Sequence, residues 1–322
     1  MADGTFRKEV MIGAGWYAAS LFLMVTLGAV GGNASSGGSG SGHSQADTTA
    51  VILLGTGTPY PDPQAQGPAT AVVVGSRVFL FDAGPGVMRQ LRGAGLPING
   101  VTALFVTHLH SDHTLGYADL ILTSWVMRRR APLASYGPNG LRRMTDHLMS
   151  AYREDIRIRT EGLERELPYA WSVAVQEIQP GVVYDSAGVR VTAISVPHGG
   201  WPEAFAYRLD SPDRSVVISG DTKYSDEIAR ASEGVDVLVH EVYPAHRVAP
   251  EDRPGGEFWP QYMKEYHTSD RELGQLAALA KPKLLLLTHI VRMGASNEEI
   301  VDGIRKGGFK GSVIVGEDLG RY

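Results

Sequence analysis

The sequence predicts a mixed α/β domain in which two β-sheets are covered by helices. Three observations carry this. Short apolar runs, each bounded by Gly, Pro or Asn, recur along the chain as strands do. Stretches of helical period lie between them. Several of the runs follow one another closely, as paired strands do, and no short-period repeat is present.

The elements begin only after a distinct leader. Residues 11–30, MIGAGWYAASLFLMVTLGAV, carry no charge and follow Arg7 and Lys8, the layout of a basic n-region and an apolar h-region. Twenty residues also just span a hydrocarbon core of about 30 Å. Residues 1–34 are therefore read as a signal peptide or an uncleaved membrane anchor, and the protein is expected to be exported, either periplasmic or secreted. Any membrane contact is expected only through this segment. Residues 31–47, GGNASSGGSGSGHSQAD, are too poor in apolar surface to fold, so 35–47 reads as a flexible linker holding His43. Apolar patterning starts at Thr48, and 48–322 reads as one domain.

Within that domain the first strands are AVILLG (50–55), TAVVVG (70–75), RVFLFD (77–82) and VTALFVT (101–107). A second set is expected at 188–195, 204–209, 214–219, 235–240 and 283–288. Helical stretches fall at 86–95, after His113, and at 138–151, 224–232, 269–280 and 297–306. The helix near 269 opens on a capping box, Ser269 with Glu272, directly after His267.

Composition then restricts the chemistry. The chain has 322 residues, a net charge of −5 from 30 basic and 35 acidic side chains, ten histidines and no cysteine. Without cysteine there are no disulfides, thiol nucleophiles, zinc fingers, iron–sulfur centres or lipoprotein anchor. Any metal must sit on nitrogen and oxygen. The net negative charge offers no overall attraction for nucleic acid or anionic lipid.

Residues 107–116 read T-H-L-H-S-D-H-T-L-G, placing His108, His110, Asp112 and His113 just past an apolar strand. Three imidazoles and a carboxylate this close repel or lie unsatisfied unless a cation organises them, and neutral imidazole with carboxylate is a preferred zinc set. More ligands are expected at later strand ends. His198 after AISVP, Asp221 after VVISG and His289 after LLLLT all stand immediately past an apolar run. An aspartate can bridge two ions, so the set suits a metal pair about 3.5–4 Å apart.

These residues resemble the H-x-H-x-D-H signature of the metallo-β-lactamase superfamily, from about Val51 to Gly316. The resemblance implies an αββα sandwich, two mixed sheets flanked by helices. It further implies two Zn²⁺ ions, with Mn²⁺ or Fe²⁺ as alternatives. His108, His110 and His198 would hold one ion, Asp112, His113 and His289 the other, and Asp221 would bridge them. Aspartate at the bridging place argues against the typical true β-lactamases. Within the superfamily the sequence is most similar to the ribonuclease Z group and its phosphodiesterase and arylsulfatase relatives, through L-G-T-G-T-P (54–59), F-D-A-G-P-G (81–86), S-G-D-T (219–222) and L-T-H (287–289). His240-Glu241 resembles that group's "HEAT" loop and His267-Thr268-Ser269 its "HST" loop, whose glutamate and histidine assist proton delivery to the leaving oxygen. One departure stands out. The loop Y-P-D-P-Q-A-Q-G-P-A-T (60–70) has neither lysine nor arginine, and no long tRNA-binding arm is evident.

The resulting expectation is a dizinc hydrolase of small phosphodiesters or aryl sulfate and phosphate esters, acting through a metal-bound hydroxide. Asp112, His240, Glu241 and His267 are the candidate catalytic residues beside the ligands. The expected substrate is a small-molecule ester and not nucleic acid; a homodimer is compatible with the sequence. The alternatives are a β-lactamase-like or acyl-homoserine lactone hydrolase, a ribonuclease Z-type endonuclease, and a metal-binding protein without catalysis. The Pro-, Gly- and aromatic-rich stretch 244–266 is expected to form a wall or lid, with Trp201, Phe258, Trp259 and Tyr262 either offering a stacking surface or packing the loop down. Arg128-Arg129-Arg130, with Arg142 and Arg143, is either an anion-binding rim or a solvated face.

Overall fold

Alternation along β1 (Thr49–Gly55) sets the layering: Val51 and Leu53 face the space between two sheets, whereas Ile52 and Leu54 pack against helices, as the two-residue period of a strand requires. The structure is a computed structural model and describes residues 48–322. The readings made for 1–34 and 35–47 lie outside the described residues.

The first sheet runs in spatial order β1, β2 (Ala69–Val74), β3 (Arg77–Phe81), β4 (Val101–Phe105), β5 (Leu133–Gly137), β6 (Val173–Glu177). Its β1–β2 and β2–β3 pairs are antiparallel and the rest parallel. The second sheet holds β7 (Gly181–Ser186), β8 (Val189–Ser195), β9 (Phe205–Asp210), β10 (Ser215–Ile218), β11 (Val237–Val242), β12 (Leu284–Ile290) and β13 (Ser312–Val315), also in chain order across the sheet. Here β10 through β13 pair in parallel and β7 through β10 antiparallel. Both sheets are therefore mixed, as expected.

Between the sheets lies an aromatic core in which Phe105 stacks on Phe81 and Tyr136 at ring-centroid distances of 5.2 and 5.0 Å. The outer face of the first sheet is covered by α1 (Val87–Gly93), α3 (Tyr117–Val126) and α4 (Leu141–Ala151), through Leu91, Tyr117, Trp125 and Leu141. The outer face of the second is covered by α6 (Asp226–Ala231), α8 (Asp270–Ala280) and α9 (Asn297–Lys306), through Ile228, Leu273, Leu276 and Ile304. Helix, sheet, sheet and helix make an αββα sandwich. Among the described residues no helix is long and apolar enough to cross a membrane.

Several elements carry too little pattern to be read from sequence. The edge strands β7 and β13 bury little, and β6 buries only Val175. Helix α5 (Arg153–Glu161) buries only Ile156 and is laced instead by ion pairs such as Arg157–Glu154 and Arg159–Asp155, each worth a few tenths of a kcal/mol. By contrast the buried strands β3, β4, β10, β11 and β12 all end at one edge of the sandwich. There the sheets join where the Phe205 N–H donates to the Thr107 carbonyl at 2.9 Å.

Candidate metal centre

Four turns at this edge deliver the candidate ligands. After β4 the chain passes through His108 and His110 into the one-turn helix α2 (Ser111–Thr114), which carries Asp112 and His113. Asp221 follows β10 through Gly220, whose φ is +57° and whose Cβ, if it had one, would lie 2.8 Å from the Thr107 Cβ; only glycine fits there. His198 follows β8, and its loop crosses Tyr266 so closely that a Cβ on Gly199 would meet the tyrosine ring at 2.1 Å. His289 is the exception to strand alternation. Leu285 and Leu287 face the helices, and His289 would follow them, but its left-handed φ of +41° turns it to the edge, a strained conformation of the kind found at functional sites.

Two groups of side chains converge. His108 Nε2 and His198 Nε2 lie 2.9 and 3.2 Å from His110 Nδ1, with Asp221 Oδ2 4.0 Å from His108 Nε2. Asp112 Oδ2 lies 3.3 Å from His289 Nε2 and 3.6 Å from His113 Nε2. Asp221 touches both groups, its oxygens 3.4 Å from His113 Nε2 and 3.5 Å from His289 Nε2. All seven residues, His110 apart, are buried.

Outer partners fix which nitrogens face inward. The Thr107 hydroxyl donates to Asp82 Oδ2 at 2.8 Å, so its oxygen accepts from His108 Nδ1–H at 3.0 Å. His113 Nδ1–H donates to the same Asp82 oxygen at 2.8 Å, and His198 Nδ1–H to the Tyr266 carbonyl at 2.8 Å. Each ring thus directs its Nε2 lone pair into the cluster, the arrangement that metal-ligating histidines use. Burial, reinforced by His113, holds the His108 pKa well below its ordinary value, and burial brings His198 down to about 4; both present the neutral ligand form. Burial opposes a charge on His113 and on Asp221 alike. Asp221 and Asp82 nevertheless raise His113, and His289, His113 and His108 depress Asp221.

The donor set fits a divalent cation. His113 Nε2, Asp221 Oδ1 and His289 Nδ1 are buried without a hydrogen-bond partner, although buried polar atoms are normally paired. Two carboxylates and five imidazoles also need positive charge among them. The ligand atoms of His108, His110, His198 and Asp221 lie within 4.8 Å of one another, as do those of Asp112, His113 and His289, and those of Asp221, His267 and His289.

Beside the cluster, His267 Nδ1 lies 3.2 and 3.3 Å from the two oxygens of Glu241 and 3.9 Å from Asp221. Glu241 also accepts from the backbone N–H groups of Thr222 and Thr268, both at 3.1 Å. Against the effect of burial, Glu241 and then Asp221 push the His267 pKa up to about 9. His240 is not brought here. It shares the face of Leu238, beneath the helices, donates Nδ1–H to the Glu241 carbonyl at 2.7 Å, and leaves Nε2 buried and unpaired.

The cluster opens into a cavity of about 890 Å³ walled by 56–65, 290–295, 316–318 and part of 244–266. The last supplies Glu251, Trp259 and Tyr262, so it forms a wall. Helix α7 (Trp259–Tyr266) stacks its rings on themselves, Tyr262 between Trp259 and Tyr266 at 5.2 and 4.4 Å, which occupies both faces of Tyr262. The stack packs the wall together, while Trp259 and Tyr262 still border the cavity and Phe258 stays exposed. Within the arginine run, Arg129 is buried and donates to the Ile121 and Ala170 carbonyls and Arg128 pairs with Glu166 at 3.0 Å, whereas Arg130, Arg142 and Arg143 are exposed.

Sequence reading passed over Asp82, Thr107 and the contact of Trp201 with His110. Asp82 had a signal, since it stands past an apolar strand just as Asp221 does. Its φ of +61° is one that asparagine tolerates. Asp82→Asn is therefore expected to keep the turn but weaken metal affinity by about 10–100-fold, read by competition with a chromogenic chelator; an unchanged affinity would show that Asp82 only supports the loop.

The sandwich and the cluster at its edge define a class, and comparison with known proteins agrees. The family model described as a beta-lactamase superfamily domain matches residues 77–290, and the chain belongs to this superfamily as a hydrolase of the metallo-β-lactamase fold. Among its relatives, it is 33% identical over 261 residues to a protein named Ribonuclease Z from Mycobacterium bovis (strain BCG / Pasteur 1173P2), covering 79% of this chain and 91% of that one. It is 32% identical over 262 residues to Ribonuclease Z from Mycobacterium marinum, with the same coverage. Similar solved structures include the metallo-beta-lactamase fold protein YhfI from Bacillus subtilis (TM-score 0.65, 20% identity, 85% of this chain and 98% of that one) and the short form of human tRNase Z (TM-score 0.62, 23% identity, 85% and 98%). At these identities the structures show the fold. The relatives' names overturn the expectation that nucleic acid is excluded as a partner. That expectation rested on the absence of lysine and arginine from 60–70, on the lack of a long arm, on the expected export and, less, on net charge; net charge sets only the average field, and phosphates are held by local contacts that other residues can supply.

Proposed function

We propose that the protein is a metal-dependent phosphodiesterase of the ribonuclease Z type, hydrolysing a phosphodiester bond of RNA. The observation that carries this reading is the pair of converging ligand groups sharing Asp221, with His267 and Glu241 on the cavity side. His108, His110, His198 and Asp221 would hold one ion and Asp112, His113 and His289 a second. All-nitrogen-and-oxygen donors with three imidazoles favour zinc. A bound pair supplies Lewis acidity toward phosphoryl oxygens and lowers the pKa of water toward about 7.

The chain's own residues do the rest. Asp112 and Asp221 present carboxylates to the reacting centre and orient the nucleophile. Glu241 accepts from His267 Nδ1–H and so aims the opposite nitrogen, Nε2, at the substrate. In its protonated form His267 donates from that nitrogen to the departing oxygen. The ribonuclease names of the relatives favour RNA over the aryl sulfates and small esters anticipated from sequence.

A substrate panel tests the proposal. Purified zinc-loaded protein would be offered a 3′-extended precursor tRNA, single-stranded RNA, bis-p-nitrophenyl phosphate, p-nitrophenyl sulfate and a lactone. Cleavage of RNA and of the phosphate diester, abolished by chelator and restored by zinc, is expected. Turnover of the sulfate or lactone without either phosphodiester would refute it.

A further inference from the structure

We infer that the indole of Trp201 and the metal compete for His110, so that loading the centre requires the indole to withdraw. The inference rests on the metal-centre reading above. Trp201 lies three residues beyond His198, and its backbone N–H closes a turn onto the His198 carbonyl at 3.0 Å. The turn lays the side chain against the ligand group, where indole Nε1–H donates to His110 Nε2 at 2.7 Å with the two rings at 90°.

An indole nitrogen only donates. His110 Nε2 must therefore offer its lone pair, and the neutral ring then carries its proton on Nδ1. Yet Nδ1 is the atom that lies 2.9 and 3.2 Å from the inward nitrogens of His108 and His198. A cation held by these three nitrogens takes the Nδ1 lone pair. The ring proton must then sit on Nε2, where it meets the indole N–H head-on across the same 2.7 Å. Two donors cannot share that distance. Turning the imidazole over gives no escape, because it would place carbons toward both the indole and the cluster. The proton count is conserved: one leaves Nδ1 as the cation enters, one is gained at Nε2, and the hydrogen bond to Trp201 is what breaks.

Room for the withdrawal lies alongside. Trp201 borders a second cavity of about 250 Å³, together with Leu109, Pro138, Asn139, Pro202 and Glu203. Trp201 is thus a positioning residue that favours the metal-free centre and reports on its filling.

Metal-free full-length protein, prepared with a chelator in a Trp259→Phe background so that the cavity tryptophan is silent, would be titrated with zinc while emission is followed. Affinity would be measured in parallel by chelator competition, with and without Trp201→Phe. The expected result is a zinc-dependent emission change that Trp201→Phe removes. That substitution is also expected to tighten binding about three- to tenfold, the worth of one neutral hydrogen bond. Trp201→Tyr, whose hydroxyl can accept as well as donate, should tighten it likewise, and circular dichroism confirms that both variants fold. Unchanged or weaker affinity in the folded variants, or an emission change that survives Trp201→Phe, would overturn the inference. Wild type that takes up no zinc would overturn the metal-centre reading with it, whereas zinc uptake without competition overturns only this one.

Discussion

Asp221→Ala is expected to leave a folded protein that has lost both metal and phosphodiesterase activity. Asp221 is 3% exposed and lies among His108, His113 and His289, the groups whose nearness holds it ionised in spite of burial. Among the described residues no other carboxylate touches both ligand groups, so its removal leaves His108, His110 and His198 facing one another with no anion to balance a bound cation. Lewis-acid stabilisation is worth several kcal/mol, and at about 1.36 kcal/mol per tenfold its loss predicts a fall in kcat/KM of roughly three to four orders of magnitude. Elemental analysis should find the metal reduced in step. Asp221→Asn separates chemistry from packing, because it keeps the shape and removes the charge: it too should lose metal while its circular dichroism stays native. Diester turnover within tenfold of wild type in either variant would contradict the assignment of Asp221.

His267→Ala should give the second largest effect, and a selective one. His267 is buried beside Glu241 and faces the cavity, so it is placed to give a proton to a departing oxygen. A general acid contributes about 10²–10⁴-fold, but only when the leaving group needs the proton. Cleavage of RNA, whose leaving alkoxide is strongly basic, should fall by that factor. Hydrolysis of bis-p-nitrophenyl phosphate, whose leaving phenolate is stable, should change little, and the metal content should stay near wild type. An equal loss on both substrates would instead mark His267 as a ligand, consistent with its place in the Asp221–His267–His289 group. Glu241→Gln should follow His267→Ala in direction with a smaller effect, since the amide still fills the space and can accept from Thr222 and Thr268.

The legible parts of this protein are those where chemistry or alternation leaves few choices. His108, His110, Asp112 and His113 stood out because four such groups within six residues need a cation. His198, Asp221 and His289 followed from their shared place after apolar runs. The two mixed sheets were readable from the buried strands, which carry unbroken Val, Ile, Leu and Phe. Strands β5, β6, β7 and β13 were not: β5 is a short LASYG run with a single large apolar residue, and the other three bury too little to select a pattern.

The pair His240-Glu241 is instructive. Neighbours on a strand face opposite sides, so one of the two had to turn away from the edge, and the continuation of Val237 and Val239 toward the space between the sheets selects Glu241. Asp82 and His289 show the limit of such reasoning. Their positive φ angles, +61° and +41°, re-aim side chains that alternation would have sent to the helices. Trp201 was read only as a stacking or packing residue, because its position beyond a strand end carries no sign that the indole would meet His110, 91 residues away. Setting nucleic acid aside failed for a different reason: net charge is a property of the whole chain, and the missing basic loop and arm are single features, whereas phosphates are held by local contacts that other residues can supply.

Whether a pair of metals shares Asp221 is tested most directly by anomalous diffraction from zinc-soaked crystals, recorded on both sides of the zinc edge. Two peaks about 3.5–4 Å apart are expected, one among His108, His110 and His198, the other among Asp112, His113 and His289, with the Asp221 carboxylate between them. A single peak, or peaks away from these residues in protein that cleaves phosphodiesters, would contradict it.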